Sequence, residues 1–82
     1  MGNNTQKAAA AKTKFLIYCI EIYKTAYKIS GKEVIQLFMQ NEIFDYILEC
    51  YEALHTTGRQ YIIEDISGLI EERKTNTWQI FV

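Results

Sequence analysis

From about Lys12 to Lys28 the apolar residues return at helical spacing. Phe15, Leu16, Cys19, Ile20, Ile22, Tyr23, Ala26 and Tyr27 gather on one side at about 3.6 residues per turn, with Glu21, Lys24, Thr25 and Lys28 opposite. An amphipathic helix is expected there. Ile17 falls on its polar side beside Tyr18, which reads as an ordinary exposed pair or as a contact for a partner. Residues 1–11 are polar and then alanine-rich, with little to bury, and are expected to form a flexible N-terminal segment or a frayed extension of the same helix.

Ser30-Gly31-Lys32-Glu33 reads as a capping box that opens a second helix, because the serine hydroxyl can accept from the Glu33 amide while the Glu33 carboxylate reaches back to the Ser30 amide. Val34, Leu37 and Phe38 form its apolar stripe. Ile35 and Met39 widen that stripe, so this short helix is expected to be covered on more than one side. Asn41 breaks the run and suits a left-handed or capping conformation. A third helix is expected from about Glu42 to Thr56, with Ile43, Phe44, Ile47, Leu48, Tyr51 and Leu54 on one face and Cys50 at its border; Gly58 stands just past its end.

Tyr61-Ile62-Ile63 is a run of bulky residues that suits a short extended segment. Asp65 then reads as the cap of a last helix, with Ile66, Leu69 and Ile70 inward, Glu71 to Lys74 outward, and Gly68 weakening it. The tail ends in Trp78, Ile80, Phe81 and Val82, too apolar for an idle linker. It is expected to pack as a strand against Tyr61 to Ile63 or to meet another chain.

These elements predict an all-α fold: a small bundle of three to four helices with a short extended segment before the last one. The domain should span residues 12–74, between the N-terminal segment 1–11 and the apolar C-terminal tail 75–82. Its core is expected to contain Leu16, Ile20, Tyr23, Leu37, Phe38, Ile47, Tyr51, Leu54, Ile66 and Leu69.

Eighty-two residues make one domain at most, with roughly 60–65% of the unfolded chain's surface available for burial. The net charge is only −1, but the charges are sorted. Residues 1–28 carry five lysines against Glu21, whereas residues 29–55 carry Lys32 against Glu33, Glu42, Asp45, Glu49 and Glu52. Blocks of opposite sign suit facing each other or a partner better than binding phosphate. Cys19 and Cys50 both fall on apolar sides of helices, where free thiols act as small hydrophobes. The longest apolar run, Phe15 to Ile20, is too short for a signal core or a membrane span. Gln6 stands where a myristoylation site wants Ser or Thr. A cytoplasmic location without membrane contact is therefore expected.

Candidate chemistry centres on His55, the only histidine. Tyr51 lies one turn before it and Glu52 three residues before, so a Tyr–His–Glu cluster is geometrically possible. The plainer reading is a histidine in the last turn of a helix, interacting with exposed carbonyls, with Thr56 and Thr57 satisfying backbone groups at the turn. Asp45, Glu49 and Glu52 recur at i, i+4 and i+7 and read as a solvated acidic ridge. Cys19, Cys50 and His55 match no zinc spacing, so neither a metal nor another cofactor is expected. The third helix after the Asn41 turn invites a helix-turn-helix reading, but it carries four acidic residues and no Lys or Arg, which disfavours nucleic acid.

The segments FLIYCIEIYK, SGKEVIQLF, FDYILECYEALHTTG and YIIEDISGLI follow one another in the order and at the spacing of a small bacterial family. Over about residues 13–73 the chain resembles the domain-of-unknown-function family numbered 3791, with Asn41 standing where glycine is expected in many relatives. The resemblance implies no activity and no catalytic residue. It does imply genomic company, because such proteins look like neighbours of ADP-ribosyltransferase-like toxins, which suits an antitoxin-like binding role. The expected function is a non-enzymatic intracellular protein-interaction module, acting on a protein partner or as a homo-oligomer. The rival readings are a small enzyme or ligand-binding domain centred on His55, and a helix-turn-helix-like DNA binder. Candidate functional or interaction residues are His55, Tyr51, Thr56, Thr57, Ile17, Tyr18, Trp78 and Phe81.

Overall fold

A computed structural model describes residues 2–80, and among them the side chains of Lys7 and of residues 9–74. Five helices follow in order: α1 (Gly2–Tyr27), α2 (Gly31–Gln40), α3 (Ile43–Glu49), α4 (Tyr51–Leu54) and α5 (Arg59–Ile80). The all-α expectation holds, with no strand among the described residues. None of their helices is long and apolar enough to cross a membrane.

α1 ends where Lys28 turns left-handed at φ 54°. The Ile29 amide then reaches back to the Lys24 carbonyl at 3.2 Å, closing the last turn in the Schellman manner. Ser30 starts α2 with the reciprocal cap read from the sequence: the Glu33 amide donates to Ser30 Oγ at 3.1 Å and the Ser30 amide to Glu33 Oε1 at 3.3 Å. Ser30→Ala is expected to lower stability by about 0.5–2 kcal/mol. An unchanged urea midpoint would show that the cap contributes nothing.

At the other end of α2, Asn41 is not left-handed (φ −108°, ψ 12°), and its side-chain amide donates to the Leu37 carbonyl at 2.9 Å. The left-handed residue is its neighbour Glu42, at φ 55°. The third helix expected over 42–56 is two pieces that change direction at Cys50 (φ −101°, ψ 17°). Backbone pairing survives the bend, because the Cys50 amide bonds Tyr46 O at 2.9 Å and Cys50 O accepts from Leu54 at 2.8 Å.

The extended segment is overturned. Tyr61-Ile62-Ile63 lies in the first turns of α5, where Ile62, Ile63, Ile66 and Ile70 make one buried helical stripe and Tyr61 points outward. Three adjacent bulky residues mimic a strand only when the matching partners one and two turns later are left out. Asp65 accordingly sits inside the helix instead of capping it. Gly58, expected just past the end of the previous helix, has no positive φ, and its carbonyl accepts from the Ile62 amide at 3.1 Å, so it opens α5. Gly68 is exposed within α5. The backbone of α5 continues to Ile80, which removes the strand expected of the tail. The side chains of Trp78 and Ile80, and all of Phe81 and Val82, lie outside the described residues.

Phe38 is fully buried where α1, α2 and α3 meet, edge-on to Tyr23 (centroids 5.2 Å) and to Phe44 (5.6 Å). Of the core residues expected from the sequence, Tyr23, Phe38, Ile47, Leu54 and Ile66 are buried, while Leu16, Ile20, Leu37 and Leu69 pack half-buried against them and Tyr51 is also half-buried. Cys19, Ile22, Val34, Ile43, Ile62, Ile63 and Ile70 complete the interior. Among the described residues Ile35 and Met39 lack the covering expected of them: they are 42% and 66% exposed. Val34 and Phe38 take the inward face of α2, and a side chain one residue further round is turned by about 100° toward water.

Polar contacts then lock α5 in place. Tyr27 and Ser67 are hydrogen-bonded, the Ser67 hydroxyl donates to Tyr23 Oη at 3.4 Å, Tyr46 donates to Asp65, and Arg73 donates to the Asn41 carbonyl. Because Asn41 meets Arg73 while Tyr46 meets Asp65, α3 and α5 run in opposite senses.

Candidate functional site

His55 ends α4, and its place follows from local geometry. Its Nδ1 lies 2.7 Å from the Tyr51 carbonyl, which can only accept, so this nitrogen carries the proton and donates. The imidazole stacks on the Tyr51 ring with centroids 4.5 Å apart and planes 4° from parallel. Tyr51 in turn meets Phe15 of α1 edge-on at 5.4 Å, with the Lys12 ammonium 6.0 Å from its centroid. Phe15 continues to Tyr18 at 6.1 Å. Tyr18, Phe15, Tyr51 and His55 thus form a row that fastens the α4 corner to α1.

The two threonines after His55 are occupied with the backbone. Thr56 Oγ1 donates to the Ala53 carbonyl at 3.0 Å and Thr57 Oγ1 to the Leu54 carbonyl at 2.7 Å. Both satisfy carbonyls that a helix end leaves over. Glu52 is exposed and, among the described residues, makes no bond to His55. Among the described residues no carboxylate is bonded to the ring to orient it, and the Thr56 and Thr57 hydroxyls are both turned to backbone carbonyls.

Ile17 and Tyr18 are 55% and 43% exposed on the outer side of α1. Asp45, Glu49 and Glu52 are exposed as well, with Leu48 37% exposed among them. No group of three or more metal-ligating side chains assembles among the described residues. Trp78 and Phe81 lie outside the described side chains. Sequence reasoning missed the open pair Ile35–Met39; its signal was the i, i+4 spacing beside an equally spaced inward pair, Val34–Phe38. The bond between Tyr46 and Asp65 was missed too, because nothing in sequence brings together residues on two helices.

Both thiols are free. Burial pushes the Cys19 thiol up to about 12, while Cys50 is half-buried. A raised folded value favours the native state fully below the ordinary thiol value of about 8.5, and this contribution fades as pH climbs from there toward 12. At about pH 8 a thiol reagent should therefore modify Cys50 readily and Cys19 only at the rate of unfolding. Equal rates for the two would contradict the burial of Cys19.

A search among curated proteins finds no match, and a search among solved structures finds none. The family described as "Protein of unknown function (DUF3791)" matches residues 14–73. That match takes in α2, α3 and α4 whole, the packed part of α1 and the buried stripe of α5, so the chain belongs to this family.

Proposed function

We propose that this domain is a non-enzymatic protein-interaction module that docks a protein partner through apolar side chains on its outer face. The observation that carries the reading is the pair Ile35 and Met39, one turn apart on α2 and 42% and 66% exposed, on a helix whose inner face is already filled by Val34 and Phe38. Ile17 and Tyr18 add a second such pair on α1. Burying a large apolar side chain is worth about 1.5–3 kcal/mol, so a partner that covers two or three of them gains appreciable affinity. Two free thiols suit a reducing compartment, which supports a cytoplasmic location. The finer reading is an antitoxin-like partner of an ADP-ribosyltransferase-like toxin, supported by the genomic company that the family resemblance implies.

The test is a pull-down from the native cell, with mass spectrometry of what the chain retains. The wild-type chain should hold a defined protein that Ile35→Ser with Met39→Ser releases, while helicity and thermal midpoint stay unchanged. Retention by both forms would remove α2 from the interface. The enzyme reading is tested separately. His55→Gln should remain folded and keep the partner, because the remaining role of the side chain is one bond to Tyr51 O and one ring stack. Loss of binding or of an activity in a folded His55→Gln chain would turn the corner into a site. As for DNA, α3 presents Asp45 and Glu49 to solvent, which repel phosphate.

A further inference from the structure

The α1 face around Ile17 and Tyr18 differs in charge from the surface beside it. Lys14 is exposed one turn before the pair, Lys7 is exposed two turns before Lys14 on the same side, and Glu21 is already held by Lys24 at 3.8 Å, whereas Lys12 lies round the helix against Tyr51. The surface of α3 and α4 is the opposite: Leu48 emerges among Asp45, Glu49 and Glu52. Among the described residues Lys14, Asp45, Glu49 and Glu52 have no ion-pair partner. The two surfaces are neighbours, because Phe15 touches Tyr18 on one side and Tyr51, next to Glu52, on the other. One chain therefore carries, side by side, a basic surface with an apolar centre and an acidic surface with an apolar centre. It does not pair them with each other.

We infer that a second copy of this chain covers the Ile17–Tyr18 face of α1, with Lys7 and Lys14 of each copy set against Asp45, Glu49 and Glu52 of the other across a two-fold axis. A two-fold axis turns an adjacent pair of complementary patches into two identical contacts, and it closes the assembly at two chains. The apolar centres, Ile17 and Tyr18 against Leu48, supply the affinity. The charges set orientation and reject other registers, since exposed ion pairs add little energy of their own. α1 has the length for this: its 26 residues extend about 39 Å, against about 15 Å for the ten of α2. The inference rests on the interaction-module reading and gives that module a second face, leaving Ile35 and Met39 free for a different protein.

Sedimentation of the whole chain with charge-reversed variants tests it. The wild type should dimerise, and more weakly as added salt shortens the reach of the charges. Lys7→Glu with Lys14→Glu, or Asp45→Lys with Glu49→Lys, should each weaken the dimer by at least about tenfold, and an equimolar mixture of the two variants should restore it as a heterodimer. Helicity by circular dichroism verifies that both variants fold; if either does not, the salt dependence of the wild type decides. A chain that stays monomeric at about 1 mM, the weak end of the affinity range, overturns the dimer. So does a dimer indifferent to both reversals and to salt. If that same chain still binds a protein that Ile35→Ser with Met39→Ser releases, the interaction-module reading stands without the dimer; if it binds none, both fall.

Discussion

Phe38→Ala should cost about 3–5 kcal/mol, at or near the whole stability of a domain this small. The side chain is fully buried, and its ring is gripped edge-on by Tyr23 from α1 and by Phe44 at the start of α3. Truncation removes a large transfer term and leaves a cavity that two aromatic rings held from separate helices cannot close. The expected result at 25 °C is a largely unfolded chain, or a compact one that binds hydrophobic dye and has lost its near-ultraviolet tyrosine signal. Phe38→Leu fills most of the volume and should remain folded with a lower midpoint. A Phe38→Ala chain that melts within a few degrees of wild type would mean that the three helices are not organised around this ring.

Asp65→Ala is expected to cost about 1–3 kcal/mol, because it leaves the half-buried Tyr46 hydroxyl without its acceptor. Tyr46→Phe should cost less, since the carboxylate it leaves behind can turn to water. If Tyr46 becomes Phe as well, the double variant should cost less than Asp65→Ala alone, because no hydroxyl is then left without an acceptor, and this non-additivity marks a single shared interaction. The same contact has a signature in pH. Burial, and after it the hydrogen bond and charge of Asp65, hold the Tyr46 hydroxyl above the ordinary tyrosine value. A raised folded value contributes stability that is fully present below about pH 10 and is lost as pH rises past it, when the unfolded chain sheds the proton and the folded one keeps it. Urea midpoints should therefore fall above pH 10, less steeply in Asp65→Ala. Parallel slopes in the two chains would show that Asp65 plays no part in holding that proton.

Local rules carried the sequence reading wherever the deciding contacts lie within a turn or two. The Ser30–Glu33 cap, the carbonyl bonds of Thr56 and Thr57, and the outward position of Ile17 and Tyr18 were all legible, since each depends on residues three or four apart. The first turns of α5 were misread for the same reason in reverse. Ile62 and Ile63 look extended on their own, and only Ile66 and Ile70 further along convert them into a helical stripe. The bend at Cys50 left no mark because hydrogen bonding continues on both sides of it. The opening of Ile35 and Met39 was hidden because ten residues with five apolar side chains resemble a surrounded helix. Whether a helix is covered on two faces depends on how many neighbours the chain can bring to it, and this chain brings its neighbours to one side. The His55 corner shows the same division: the residue's position in a final turn was readable, whereas its seat on a row of rings ending at Tyr18 depends on α1 passing close by.

Lys28 and Glu42 hold the two left-handed turns that separate α1 from α2 and α2 from α3. A side chain in that conformation costs about 1–2 kcal/mol over a right-handed one, and glycine avoids the cost at the expense of a looser unfolded chain. The protein thus keeps a reserve of stability at two bends and spends the positions on one positive and one negative charge. Drift toward glycine at either position is open to the fold without repacking a single core residue. In this chain the position whose backbone suits glycine is Glu42, and not its neighbour Asn41, whose side chain caps Leu37.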